Sequence, residues 1–307
     1  MSASGEQFRD HSERLPPWFR IRTARGGRYT EIRDLITSKQ LHTVCRSAAC
    51  PNQLECWNSG TATFLILGNV CTRGCRFCNI QKGLPPGPAD ANEPGRVADA
   101  VAVLGLQYAV VTSVTRDDLP DGGASLFAAT IRAIRKKSPG CRVEVLVPDF
   151  QGSEPALSIV LDAAPDVLNH NIETVPSLYA VVRPNAGYDR SLELLQRAKA
   201  KGMITKTGLM LGLGETIKDV HSVLHDLRCI RCDILTLGQY LQPNRSSLPV
   251  SRYYRPEEFD HMRDAALELG FRFVTAGPLV RSSYHAERHT DAQHTSMLSV
   301  PSGSLLP

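Results

Sequence analysis

No stretch of this 307-residue chain is apolar for long enough to cross a bilayer. A membrane span is therefore not expected. The N-terminus has no signal-peptide core, and Glu6, Asp10 and Glu13 are acids that a transit peptide avoids, so a cytoplasmic setting is the expectation. No dense Lys/Arg run with interleaved aromatics occurs, and the net charge is only +4, which argues against a nucleic-acid partner. That small surplus suits an acidic partner and a plain solvated surface equally. The histidines form no HExxH, which removes the usual zinc-hydrolase signature, and His285, His289 and His294 near the end receive no ligand role. Internal repeats and low-complexity linkers are missing, so the body is not divided.

What the chain does have is cysteine. Six of its nine lie between Cys45 and Cys78. In a reducing compartment such clustering points to metal or redox chemistry and away from disulfides. The rest is ordinary globular material, 42% hydrophobic and 21% charged, enough to bury a sizeable core.

Residues 1–44 are polar and read as an arm over a larger body, with a short helix near Glu31–Lys39. From Thr63 onward short β-branched runs alternate with helical periods. The expected strands are Thr63–Leu67, Tyr108–Ser113, Val143–Val147, Asp166–Asn171, Thr205–Leu211, Asp233–Leu237 and Arg272–Thr275. Between them run apolar stripes at helical spacing, such as Leu192, Leu195 and Ala198, then Ile217, Val220, Leu224 and Leu227, then Phe259, Met262, Ala266 and Leu269. This alternation implies parallel strands with crossover helices. The expected fold class is α/β, a partial (β/α)6-type barrel with N- and C-terminal extensions; a doubly wound sheet is the alternative. In either, the site gathers at the C-terminal ends of the strands. The expected division is an extension over residues 1–62, the barrel over 63–277 and a second extension over 278–307, loosely held after Glu287.

Cys71, Cys75 and Cys78 are spaced C-x3-C-x2-C directly after the first expected strand. Three thiolates on one loop can bind three corners of an iron–sulfur cube and leave the fourth iron open to a small molecule. A structural zinc would want four closed ligands. Three inert buried thiols so close together would be an oxidation liability. With Phe77 before the last cysteine, the loop resembles that of the radical S-adenosylmethionine superfamily. The resemblance implies that the methionyl amine and carboxylate chelate the open iron, and that an electron from the cluster releases a 5′-deoxyadenosyl radical. Abstracting hydrogen from an unactivated C–H bond needs such a radical, sheltered from water.

Upstream, Cys45, Cys50 and Cys56 form C-x4-C-x5-C. Taken alone this is a second cluster or a zinc site closed by a distant ligand. Both cysteine motifs together, with Pro51-Asn52, Glu55-Cys56-Trp57, Thr112-Ser-Val-Thr-Arg-Asp-Asp-Leu119, Leu168-Asn-His-Asn-Ile-Glu-Thr174, Gly208–Glu215, Gly238-Gln-Tyr-Leu-Gln-Pro243 and Arg281-Ser-Ser-Tyr284, resemble the lipoyl synthase family from about residue 40 to 287. The resemblance implies two 4Fe-4S clusters and S-adenosylmethionine, with sulfur inserted at C6 and C8 of an octanoyl group on a carrier-domain lysine. It implies a carrier such as the E2 subunit of a 2-oxoacid dehydrogenase or the glycine cleavage H protein, and a one-electron donor such as ferredoxin or flavodoxin. It also implies a serine ligand to the fourth iron of the upstream cluster, Ser283 by position, with Ser282 the alternative. Oxygen matches that iron less well than thiolate, so the corner should release readily. One departure is visible: Ser47, Ala48 and Ala49 stand where the family often carries an acid and a base.

The remaining candidates are weighed against plainer roles. Thr112, Ser113, Asn169, Asn171 and Glu173 fall at strand ends and offer groups for ribose or the methionyl moiety; strand-end turns use the same residues. Arg183 suits the methionyl carboxylate and equally a surface ion pair. Glu215 ends a glycine-rich stretch that allows close backbone approach. Arg281 suits substrate backbone or the serine corner. Lys206 is a polar residue within a strand and is placed in the barrel lining. Cys141, Cys229 and Cys232 read as ordinary cysteines, although C-x2-C leaves a redox pair open. The rival readings are a two-cluster radical enzyme with another substrate and a non-catalytic iron–sulfur electron carrier.

Overall fold

The structure, a computed structural model, describes residues 15–19, 28–48, 50–58 and 61–290. Its strands are β1 (His42–Thr43), β2 (Thr63–Ile66), β3 (Val70–Cys71), β4 (Gln81–Lys82), β5 (Tyr108–Ser113), β6 (Arg142–Leu146), β7 (Val167–Asn169), β8 (Ile204–Leu211), β9 (Ile234–Gln239) and β10 (Phe273–Gly277). Its helices are α1 (Arg28–Ser38), α2 (Val44–Ser47), α3 (Gln53–Asn58), α4 (Glu93–Val103), α5 (Ala124–Lys137), α6 (Glu154–Asp162), α7 (Tyr179–Val182), α8 (Tyr188–Ala200), α9 (Ile217–Cys229) and α10 (Pro256–Glu268). The main sheet runs β1-β2-β5-β6-β7-β8-β9-β10, and β3 pairs with β4 apart from it. From β2 to β10 every pairing is parallel. The crossovers α4, α5, α6, α8, α9 and α10 make this a partial (β/α)6 barrel with a closing strand. All seven expected strands are present, where short β-branched runs alternate with helical periods.

Side-chain alternation separates two faces. Ala109, Val111, Val143, Val145, Leu168, Leu209, Leu235 and Leu237 belong to one core with the helices. Their neighbours Tyr108, Val110, Glu144, Asn169 and Lys206 point to the inner face, as a period of two requires. The helices follow their stripes, with Val220, Leu224 and Leu227 of α9 buried, and Phe259, Met262 and Ala266 of α10 likewise. Ile217, read as the first member of its stripe, is exposed instead. It opens α9 inside the Thr216/Asp219 capping box, on the first turn of the helix.

The extensions do not stand apart from the sheet. β1 pairs antiparallel with β2, and Ile32 and Ile36 of α1 are wholly buried in the main core. Of the expected arm, residues 1–14 and 20–27 lie outside the described residues, as does the expected loose tail from 291 onward. Among the described residues no helix is long and apolar enough to cross a membrane.

Candidate active site

The loop carrying Cys71, Cys75 and Cys78 rises from the end of β2. It is held along its length. Thr72 N and Oγ1 donate to Thr115 O, each at 3.0 Å, and Arg76 N donates to Val182 O at 2.9 Å. Arg73 is buried and reaches inward. Its guanidinium grips Asp117 at 2.7 and 2.9 Å and Asp149 at 2.6 Å. Burial alone would raise the Asp149 carboxyl, but the Arg73 guanidinium outweighs it and brings that group down to about 2. Backbone N–H groups point at the sulfurs, from Arg73 and Thr115 to Cys71 and from Ile80 to Cys78, at 3.4–3.5 Å. Such donors suit sulfurs that ligate a metal. Without a bound group, burial pushes the Cys75 thiol up, against the opposing pull of Arg183, and pushes Cys78 up to about 11.

Cys45 sits in α2, Cys50 in the following turn and Cys56 in α3. Burial is the main reason that all three thiols are raised, and Arg281 partly opposes it at Cys50. The segment after β10 meets this loop. Asn52 Nδ2 donates to Leu279 O at 2.7 Å, and Tyr284 Oη donates to Glu55 Oε1 at 3.1 Å. These contacts span 227 and 229 residues of sequence. They bring Arg281, Ser282 and Ser283 over the barrel mouth beside the upstream cysteines.

Both cysteine sets open on one cavity of about 1020 Å³ at the C-terminal ends of the strands. Its lining includes all six of these cysteines together with Phe77, Thr112, Ser113, Asn171, Glu173, Arg183, Arg281, Ser282 and Ser283. Thr112 is partly committed, since its hydroxyl donates to Leu146 O at 2.8 Å. Three buried polar atoms on the lining have no hydrogen-bond partner within the protein, namely Ser113 Oγ, Asn171 Oδ1 and Arg183 Nε. Orphans of this kind fit a polar ligand. Asn171 Nδ2 donates to Glu173 Oε1 at 3.1 Å. Burial raises the Glu173 carboxyl, and the Arg183 charge and the Asn171 bond oppose that rise.

Two residues read as cofactor contacts stand elsewhere. Asn169 is wholly buried and is not on the cavity lining; its amide donates to Glu144 Oε1 at 2.9 Å. The Glu215 carboxylate takes the N–H groups of Gly212 (2.6 Å) and Leu213 (2.9 Å) and so ties the turn before α9. Asn169 was read from its place at a strand end and Glu215 from the glycine-rich stretch that it closes; each side chain bonds a neighbouring group instead.

The chain also has site residues that its sequence did not announce. Arg183 Nη1 donates to Tyr179 Oη (2.9 Å), Tyr179 to Ser191 Oγ (3.2 Å), Ser191 to His170 Nε2 (3.0 Å), and His170 Nδ1 to Val147 O (2.8 Å). One proton sits on each link, and this order requires a neutral imidazole. Burial, then the Arg183 charge, holds His170 down at about 4, which agrees with it. The relay fixes the Arg183 guanidinium from behind. Arg73, Asp149 and Asn52 are further examples; Arg73 and Asn52 lay within noted motifs, without a role. Cys229 is exposed and Cys232 buried, with its sulfur near Thr205 O and Ile234 O. Cys141 is buried as well.

A triad of thiols on the loop after the first barrel strand, facing an orphan-lined cavity, defines the radical S-adenosylmethionine class. The superfamily model matches residues 65–227, and the fold is shared with Streptococcus suis SuiB bound to S-adenosylmethionine (TM-score 0.55, 9% identity, covering 80% of this chain and 61% of that one). Within that class the chain belongs to the lipoyl synthase family. It is 56% identical over 282 residues to the lipoyl synthase of Roseiflexus sp. (strain RS-1), covering 91% of this chain and 93% of the relative. It is 55% identical over 273 residues to that of Chlorobaculum tepidum, covering 89% and 94%.

Proposed function

We propose that this chain inserts two sulfur atoms, at C6 and C8, into an octanoyl group amide-linked to a lysine of a carrier domain. The observation that carries this reading is the single cavity onto which Cys45, Cys50, Cys56 and Ser283 open together with Cys71, Cys75 and Cys78. A radical made at one set would meet sulfur held at the other without leaving the enclosure.

Cys71, Cys75 and Cys78 would hold a 4Fe-4S cluster with one open iron, and Cys45, Cys50, Cys56 and Ser283 a second cluster. When bound, the first cluster supplies the electron that cleaves S-adenosylmethionine and the second supplies the sulfur.

The chain's own residues bind and enclose. Arg183, held by its relay, presents Nε to a methionyl carboxylate. Glu173 and Asn171 take the amine and ribose hydroxyls, and Ser113 adds a further polar contact. Phe77 covers the loop. Leu65, Val114, Leu146, Val147 and Met210 give the cavity apolar walls that suit an alkyl chain and keep water from the radical. Arg281, beside Cys50, orients the substrate amide or the serine corner. The carriers that fit are the E2 subunits of 2-oxoacid dehydrogenases or the glycine cleavage H protein, with ferredoxin or flavodoxin as donor.

The test is anaerobic. Reconstituted protein receives reductant, S-adenosylmethionine and an octanoyl-lysine peptide, and the peptide is followed by mass spectrometry. Two added sulfurs with 5′-deoxyadenosine formed is the expected result. Deoxyadenosine with an unchanged peptide would move the reading to another substrate. Neither product, in protein holding both clusters, would leave an electron carrier.

A further inference from the structure

Below the cavity the inner face of the barrel carries a layer that the reaction does not use. Lys206 and Glu144 are both wholly buried and meet at 2.9 and 3.0 Å. Glu144 also accepts Tyr108 Oη at 2.8 Å and Asn169 Nδ2 at 2.9 Å. Tyr108, Val110 and Ala286 form an apolar cluster separate from the main core. Ala286 is wholly buried. It opens the short 3-10 turn Ala286–Thr290, only three residues beyond Ser283. Glu287 lies within electrostatic range of Lys206, and its Oε2 is shut off from solvent.

The segment after β10 is thus held at two ends. At the barrel mouth Asn52 holds Leu279 O and Glu55 holds Tyr284. At the lower end Ala286 rests on Tyr108, whose hydroxyl is fixed by the Glu144–Lys206 pair. A serine ligand has a short side chain, so its oxygen goes where the backbone puts it. An unsupported terminal turn samples open conformations.

We propose that the Tyr108–Glu144–Lys206 layer is the seat of the C-terminal turn, and that Ala286 and Glu287, docked on it, position Ser283 for the sulfur-donor cluster. This rests on the reading of Ser283 as that cluster's oxygen ligand. Ala286 and Glu287 are positioning residues, since neither touches the reacting atoms. Ala286→Leu overfills the seat while leaving the barrel strands untouched. Glu287→Gln keeps the shape and removes a charge that acts on Lys206 and on His285, whose Nδ1 lies 3.2 Å from Glu287 Oε1.

The experiment uses the anaerobically reconstituted enzyme with both clusters. Amide hydrogen exchange is measured across 281–288, and the iron-57 Mössbauer spectrum of the upstream cluster is compared among the parent, Ser283→Ala, Ala286→Leu and Glu287→Gln. The expected result is exchange faster by about tenfold or more across 281–288 in both seat variants, with spectra that approach that of Ser283→Ala. Parental exchange in both seat variants would overturn the proposal. So would faster exchange with a parental spectrum, provided that Ser283→Ala itself changes the spectrum. If Ser283→Ala leaves the spectrum unchanged, the ligand reading fails on its own, and with it the positioning role; exchange then shows only whether the seat holds the turn.

Discussion

Ser283 and Gly238 show how much a single atom carries here. Ser283 offers oxygen among three thiolates, and the softer sulfur of a cysteine would hold that iron more firmly. Ser283→Cys is expected to load the upstream cluster yet slow sulfur insertion by about tenfold or more, read as dithiolane formed per hour. Full-rate insertion would remove the idea of a weak corner. Gly238 lies under the segment that bears the serine: a Cβ there would stand 2.1 Å from Val280 O. Backbone cannot yield as a side chain can. Gly238→Ala is therefore expected to cost about 1–3 kcal/mol in a denaturant titration, with the segment over 279–284 displaced.

Among elements, the relay from Arg183 to Val147 joins α7, α8, β7 and the end of β6. It works only with His170 neutral. Buried His170 is held near 4, against an ordinary value of 6.5. Between those values the unfolded chain binds the proton and the folded chain does not, so stability falls as the pH drops from about 6.5 to about 4 and is unaffected above. The full loss amounts to about 3 kcal/mol. His170→Gln should remove that part of the pH dependence, seen as a flatter plot of denaturation midpoint against pH; an unchanged slope would mean that the proton binds elsewhere. The elements themselves were largely readable beforehand. Seven strands show as short, β-branched runs separated by helical periods, a local pattern that survives the buried polar residues Glu144, Asn169 and Lys206 within them. Asn169 and Glu215 were less legible. A polar residue at a strand end looks the same whether it faces a ligand, a neighbouring carboxylate or its own turn.

Across the whole molecule, Lys206 and Glu144 bind four strands together, since Tyr108 and Asn169 share the same carboxylate. Removing one charge leaves the other buried and unpaired. Lys206→Met is expected to destabilise the fold by about 3–5 kcal/mol. Lys206→Met with Glu144→Gln should recover part of that, because the amide keeps an acceptor for Tyr108 or Asn169 without a stranded charge. Equal losses in the single and double variants, by denaturant titration, would show that the pair is not what holds the layer. By itself the sequence determined the two cysteine loops, the strand–helix alternation and the kind of chemistry, since all three are local patterns of spacing and hydrophobic period. Tertiary structure alone decided that Cys50, Cys75, Arg183 and Ser283 share one cavity, that Asn52 meets Leu279, and that Ala286 sits inside the barrel. Those contacts join residues far apart in the chain, and only the closing of the sheet brings them within reach of each other.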